Sequence, residues 1–432
     1  MHLPSQSELI ARMDDARKRT LALISDLNDA QLMGPRLSTV NPLRWEIGHA
    51  AYFYEYWVLR QHLDEPAGRS DADRLYDSIS IAHDTRWDLP LPSLEDTIAY
   101  MNRVLQRVRD HLANGGPDPQ RDYLAQYAVF HEDMHTEAFT YTRQTLSYPA
   151  PGVGTPSDAR WLAGGLEGDA QIPGGEFVLG ASPENGFVFD NEKWGHPIQV
   201  LPFRIARAAV SNAEFAAFVE DEGYLRPELW DAAGWQWRVG AGLECPVYWR
   251  KSAEGWEWRH FDRWEPLSPH AAVVHVSWHE AKAWCRWAGR RLPTELEWEV
   301  AAAGEPSADG RRLAPVKRRY PWGDDPPDPS RANLDGGALG TIDVAALPAG
   351  DSAFGCRQML GNAWEWTDTT FGPYPGFTPD MYRDYSMPLF GQTRVLRGGG
   401  WGTRSRLIRN TWRNYYGPDR NDVLAGFRTC AV

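Results

Sequence analysis

The stretch RDYLAQYAVFHEDMHTEAFTYTRQTL, residues 121–146, reads as one long helix that ends before Tyr148-Pro149. Within it His131 and His135 stand four residues apart, so both imidazoles fall on one helix face, a turn apart. That spacing suits two ligands of one metal ion. Twelve histidines in 432 residues would give roughly 0.3 such pairs by chance, so the pair taken alone also reads as two surface histidines. The same letters, His131-Glu132-Asp133-Met134-His135, spell a zinc-protease pattern with Glu132 as general base. No downstream ligand follows at the spacing of the extended protease motif.

Three further helices precede it. Leu9, Ile10, Met13, Ala16, Thr20, Leu23, Ile24 and Leu27 recur at three- and four-residue intervals. A second helix runs from about Pro42 to His62, proline being acceptable in a first turn. A third covers Leu94 to Leu112 and is closed by Asn114-Gly115-Gly116-Pro117. Four such helices predict an antiparallel bundle over residues 1–148. The segment 64–92 is long for a bundle loop and is therefore a functional candidate. His49 supplies a third ligand candidate, within Trp45-Glu46-Ile47-Gly48-His49-Ala50-Ala51. Gly48 would let another element approach closely. A lone histidine on so apolar a face is commonly a core residue, but a bundle can bring the second helix beside the fourth. Three neutral imidazoles suit zinc, iron, copper or nickel, and composition does not choose among them. Glu46, Glu132 and Glu137 are unranked candidates for outer acceptors of the histidines.

Composition excludes several classes. Forty-five Lys and Arg against 58 Asp and Glu give a net charge of −13, which disfavours nucleic acid and anionic membranes as partners. No apolar run approaches membrane-spanning length, and the first residues lack a signal pattern; a cytoplasmic enzyme is expected. Cys245, Cys285, Cys356 and Cys430 are widely spaced and read as passive packing. Residues 149–168, rich in Pro and Gly, form the expected linker. From residue 169 to 432 the character changes. Short strand-like pieces (Gly175–Gly180, Ile198–Ile205, His275–Ser277, Arg394–Arg397) alternate with turns and many tryptophans. Helices are expected near Asn212–Glu222 and Trp278–Ala288. This predicts an α+β domain of low regular content.

The second half carries recognisable strings: Ile172-Pro173-Gly174-Gly175-Glu176-Phe177, Arg291-Leu292-Pro293-Thr294-Glu295-Leu296-Glu297-Trp298-Glu299, Tyr320-Pro321-Trp322-Gly323, Gly361-Asn362-Ala363-Trp364-Glu365-Trp366-Thr367, Arg397-Gly398-Gly399-Gly400-Trp401 and Ala425-Gly426-Phe427-Arg428. It resembles the formylglycine-generating-enzyme/sulfatase-modifying-factor fold, which is C-type-lectin-like. Those enzymes need two neighbouring cysteines for copper. This chain has only Cys430 in that region, so their activity is not expected. The first half resembles a DinB-like bundle with a histidine triad. Together, over essentially the whole chain, the halves resemble the EgtB family of non-haem iron sulfoxide synthases. The resemblance implies Fe(2+) on His49, His131 and His135. It also implies O2-dependent joining of sulfur or selenium to the imidazole C2 of hercynine, Nα-trimethylhistidine. Tyr382 matches the family's catalytic tyrosine and Tyr385 its neighbour, and the second domain is expected to complete the active site.

The donor pocket departs from the mycobacterial type, which grips γ-glutamylcysteine with two arginines in the bundle loop and an Asp and Arg near the C-terminus. Here Arg86 matches one loop arginine and His83 stands at the other. Asn414 and Arg420 are kept. Tyr416 occupies the Asp position, Tyr415 a Trp position, and Met134 a Gln position between the metal histidines. Losing a carboxylate and a guanidinium removes two charge-assisted anchors for a zwitterionic peptide. An uncharged, hydroxyl-rich donor suits tyrosines better, as in the related selenoneine synthases, which take a selenosugar such as 1-seleno-β-D-glucose. Open alternatives are γ-glutamylcysteine or cysteine as the donor, a zinc-dependent thiol transferase, and a non-catalytic binding module. Oligomeric state is not readable from the sequence.

Overall fold

The computed structural model describes residues 4–154 and 162–432. The chain divides into two compact units, Met1–Val153 and Gly154–Val432. The division falls inside the expected 149–168 linker, of which 155–161 lie outside the described residues.

Among its described residues the first unit has helices and no strand. Helix α1 (Gln6–Ala22) is capped by Ser5, whose hydroxyl accepts from the Glu8 amide. The apolar pattern that continues to Leu27 outlasts the helix: Leu23, Ile24 and Leu27 are buried in the turns after it. A short α2 (Asp29–Met33) follows, with an Asn28–Gln31 capping box. Helix α3 (Leu43–Tyr54) has Pro42 at its N-cap and continues as a π-helix over Glu55–His62. The segment 64–92 is not structureless. It holds α4 (Ala72–Tyr76) and a 3-10 turn, His83–Asp88. Helix α5 (Leu94–Asn114) ends at Gly115, and α6 (Pro119–Thr145) begins with Asp118 as N-cap and Pro119 in its first turn. Helices α1, α3, α5 and α6 form the four-helix bundle.

The second unit is α+β with short elements. Strands β1 (Asp169–Ile172), β2 (Gly175–Leu179), β3 (His196–Val200) and β4 (Phe203–Ala206) precede α7 (Asn212–Glu220) and α8 (Ala232–Ala241). The expected single strand Ile198–Ile205 is two strands. Leu201-Pro202 interrupts it, proline having no amide to give a ladder. An antiparallel sheet follows, β5 (Trp249–Ser252), β6 (Gly255–His260) and β7 (Arg263–Pro266). His275–Ser277, expected as a strand, is irregular: His275 has φ +62°, which breaks an extended run. Then come α9 (Trp278–Trp287), β8 (Arg290–Arg291), α10 (Glu295–Ala303), β9 (Gly304–Pro306), β10 (Leu313–Lys317), β11 (Trp364–Thr370), β12 (Arg394–Arg397), β13 (Asn414–Tyr416), β14 (Ala425–Gly426) and β15 (Cys430–Ala431). The two larger sheets have orders β1-β4-β15-β8 and β13-β12-β11-β14, with β11 and β14 parallel.

The recognisable strings meet in this core. Arg397 donates to Glu295 at 2.7 Å, and Arg428 pairs with Glu365 at 2.6 and 2.8 Å. Trp298 Nε1 donates to the same Glu365 at 2.7 Å. Asn362, at φ +69°, bridges Asn333, Ile342 and Gln358. Removing one partner of such buried pairs leaves an uncompensated charge, costing about 3–5 kcal/mol. These motifs hold a loop-rich fold together rather than perform chemistry.

Candidate metal centre

Helix periodicity brings three histidines to one point. His131 and His135 project from α6 toward α3, and His49 answers from α3. One ring nitrogen from each lies within 4.8 Å of the others. His131 Nε2 and His135 Nε2 are 3.3 Å apart.

The far sides of the rings are fixed. His49 Nδ1 donates to the Tyr76 carbonyl at 2.8 Å. A carbonyl only accepts, so Nε2 carries the lone pair. His135 Nδ1 donates to the Glu46 carboxylate at 2.6 Å. Two imidazoles with protonated Nδ1 and inward lone pairs are the arrangement a cation needs. Burial, then the neighbouring His135, pushes both His49 and His131 well below the ordinary imidazole value, which keeps them in the neutral, ligating form. The donor set therefore fits a divalent transition metal bound by three imidazoles.

The packing around the rings is aromatic. His131 stacks on Phe53 at 3.9 Å between centroids, and His49 on Trp45 at 4.8 Å. Trp45 Nε1 donates to the Leu75 carbonyl at 2.6 Å. Thus residues 45, 48 and 49 of α3 all dock on Leu75-Tyr76 of the long segment. A Cβ on Gly48 would overlap the Tyr76 ring, so only glycine lets the Tyr76 carbonyl reach His49. The segment 64–92 earns its length here.

Glu132 does not face the histidines. Its carboxylate accepts from Arg17 Nε at 3.0 Å and Thr20 Oγ1 at 2.8 Å on α1. This carboxylate is anchored to α1 through Oε1 rather than hydrogen-bonded to the histidine site, which counts against the zinc-protease reading. Glu46, Glu132 and Glu137 are all buried, and Glu46 is hydrogen-bonded to a triad ring, that of His135. Its signal was in the sequence: position 46 lies one turn before His49, on the same helix face.

The predicted donor residues fall in two places. In the first unit, His83 Nε2 donates to the Val40 carbonyl at 2.8 Å. Arg86 donates to Asn41 Oδ1 at 2.6 Å and lies over the Trp45 ring, 3.9 Å from its centroid. Both fold back on the start of α3. Met134 is half-buried on α6. In the second unit, Tyr382 precedes the 3-10 turn Arg383–Tyr385, and its carbonyl accepts from the Tyr385 amide at 3.1 Å. The Tyr385 ring stacks on Phe189 at 4.6 Å. Strand β13 places Asn414 and Tyr416 on one face and Tyr415 on the other. Tyr415 stacks on Phe371 at 4.0 Å and donates its hydroxyl to the Tyr385 carbonyl. Burial raises the hydroxyls of both Tyr385 and Tyr415. Arg420 is bound by Asp422 through Nε at 2.6 Å and Nη2 at 2.8 Å, and lies over Tyr416 at 5.2 Å.

The cysteines are free thiols, three of them buried. Burial pushes Cys245 and Cys356 up to about 11 and Cys430 to about 12, far from a nucleophile's range. Among the described residues no helix is long and apolar enough to cross a membrane.

Known proteins resemble both units. Residues 12–139 match the DinB superfamily, and residues 164–431 match the sulfatase-modifying factor enzyme 1-like domain. A hercynine oxygenase of Mycolicibacterium thermoresistibile is 39% identical over 441 residues, covering 99% of this chain and 95% of that protein. A hercynine oxygenase of Mycolicibacterium smegmatis is 36% identical, covering 96% of each. A formylglycine-generating enzyme of Streptomyces coelicolor is 33% identical and covers 66% of this chain.

Proposed function

Since the chain belongs to the EgtB-like hercynine oxygenase family, we propose that it is an O2-dependent non-haem iron(II) enzyme joining selenium to the imidazole C2 of hercynine. The selenium comes from a selenosugar, and the enzyme is a selenoneine synthase of the cytoplasm. The observation that carries the metal centre is the convergence of His49, His131 and His135, with Glu46 and the Tyr76 carbonyl fixing two of the rings; iron, among the metals such a site suits, is taken from the family resemblance. Bound there, ferrous iron would supply open positions for O2 and the chalcogen, gathering the reactants in one place. The protein's part is to keep His49 and His131 neutral, to orient His49 and His135, and to wall the site with Trp45 and Phe53. Tyr382 is assigned the proton-donating role on the family resemblance.

The donor assignment rests on charge. Arg420 has two of its donors engaged by Asp422, and Arg86 sits over the Trp45 ring. Tyr416 stands where the mycobacterial type has an acid. A zwitterionic peptide meets few uncommitted charges, whereas a sugar needs only hydroxyl partners. A second reading, γ-glutamylcysteine as donor, is favoured by the identity to the hercynine oxygenases and the presence of Arg86 and Arg420.

The test is direct. Iron-loaded protein is incubated with hercynine, O2 and either selenoglucose or γ-glutamylcysteine, and the products are weighed. An oxidised hercynine–selenosugar adduct formed at least about tenfold faster than the peptide adduct supports the proposal. Preference for the peptide transfers the assignment to sulfur. Turnover without oxygen would instead indicate a zinc-dependent transferase.

A further inference from the structure

The sheet β5–β6–β7 carries a feature unrelated to the histidine triad. Directly opposed residues of antiparallel strands share a face. Trp249 is opposite Trp258, and Trp258 is opposite Glu265, so an indole, an indole and a carboxylate run in one row across three strands. His260, two residues beyond Trp258, lies on the same face. Its ring stacks on Trp258 at 4.6 Å, its Nε2 donates to the Leu339 carbonyl at 2.7 Å, and its Nδ1 is 3.5 Å from Glu265.

This row walls a cavity of about 380 Å³. The other walls come from 266–268, 271–274 and 338–341, mostly apolar, with Asn212, Ser268 and Thr341 as uncharged polar members. Ala272 and Val274 there belong to a buried apolar cluster. The size is that of a small-molecule site. Glu265 lines the cavity, and among the described residues no lysine or arginine does. Arg250 turns to Glu257 and Trp264, and Arg259 to Tyr248; Arg263, opposite His260 on β7, is outside the lining and adds a weaker attraction to Glu265. Hydrogen bonding by His260 holds the Glu265 carboxyl below its ordinary range, so it is anionic at neutral pH.

An anion entering this cavity would meet the Glu265 carboxylate, while both nitrogens of the nearby His260 are already turned to Glu265 and to the Leu339 carbonyl. An apolar molecule would bury that carboxylate without compensation. A cation is attracted by both the carboxylate and the indoles. We propose that the cavity is a binding site for a small organic cation, an ammonium head on a short apolar body, held by Trp249, Trp258 and Glu265.

The test uses the whole chain and two probes of nearly the same shape, choline and its uncharged isostere 3,3-dimethylbutan-1-ol, titrated by calorimetry. Choline should bind in the millimolar range or tighter, and the isostere at least about fivefold more weakly. Glu265→Gln should weaken choline about fivefold or more, and Trp258→Leu should abolish binding. Glu265 is 44% exposed, so its variant folds even if the tryptophan variant does not. Equal binding of the two probes, no binding of choline, or unchanged affinity in Glu265→Gln overturns the proposal.

Discussion

The Trp45 indole and the His49 imidazole lie face to face, 4.8 Å between centroids and 8° from parallel. The Arg86 guanidinium sits over the same indole at 3.9 Å. A residue expected to grip the donor is thus committed to a stack that ends on a metal-ligand candidate. Trp45→Leu removes both the stack and the bond to the Leu75 carbonyl. It should lower ferrous-iron affinity about tenfold, the scale of outer partners of metal-bound histidines. Trp45→Phe keeps the ring and should lose less. Competition against a chelator reads both, and equal affinities would reduce Trp45 to filler.

Glu46 is buried, and its Oε2 finds no partner among the described residues. Its Oε1 accepts from His135 Nδ1 at 2.6 Å. Glu46→Gln keeps the shape but loses the charge-assisted bond that orients the ring and raises its basicity. Metal affinity should fall about 10- to 100-fold while the metal-free protein melts within a few degrees of wild type. A large drop in apo stability with unchanged affinity would make the pair structural.

Gly48→Ala places a methyl group against the Tyr76 ring. Relief requires the 75–76 segment to back away, taking the acceptor of His49 Nδ1 with it. Overpacking of this kind costs about 1–3 kcal/mol. A lowered Tm together with weakened metal binding is expected. An unaltered melt would mean that Tyr76 turns aside freely.

Much of this was legible before any coordinates. The four bundle helices follow from apolar spacing and from stops such as Asn114-Gly115, and the i,i+4 histidines from helix geometry. The role of Gly48 was legible too, because a glycine inside an apolar helix has little purpose except close approach. What could not be read was long-range. Nothing local says that the Tyr76 carbonyl reaches His49, that Glu132 turns to Arg17, or that Arg86 lies on Trp45. The second unit was harder for the same reason. Its strands are two to seven residues long and are fixed by buried pairs such as Arg428–Glu365, 63 residues apart in sequence, so periodicity had little to act on. The row Trp249, Trp258, Glu265 also needed the strand register.

Tyr416 pairs with Arg394 at the end of β13 and shares its face with Asn414. Introducing Tyr416→Asp restores the acid of the mycobacterial donor pocket beside Arg420, whose guanidinium lies 5.2 Å from the ring it replaces. The relative kcat/KM for γ-glutamylcysteine over selenoglucose should rise about tenfold, the value of one charge-assisted contact. An unchanged ratio would place Tyr416 outside the donor site.

Glu280 gives the second unit a pH-dependent stability. Its carboxyl is buried and pushed up to about 7, chiefly by desolvation, although the Ser277 amide and the Tyr224 hydroxyl donate to it. In the unfolded chain it ionises near 4.5. Between these values the folded state holds a proton that the unfolded state has lost. Stability contributed by this group is therefore full below about pH 4.5 and declines as pH rises to about 7, by roughly 3 kcal/mol at most. His275 acts in the opposite sense. Burial depresses it to about 3, so its contribution grows as pH rises toward 6.5, and only a comparison within one position separates the two. Glu280→Gln keeps the cap on α9 without a titrating proton. The Tm of the variant relative to wild type should rise by several degrees between pH 5 and 8. Parallel Tm curves across that range would mean that the Glu280 carboxylate is already charged in the folded protein at pH 5.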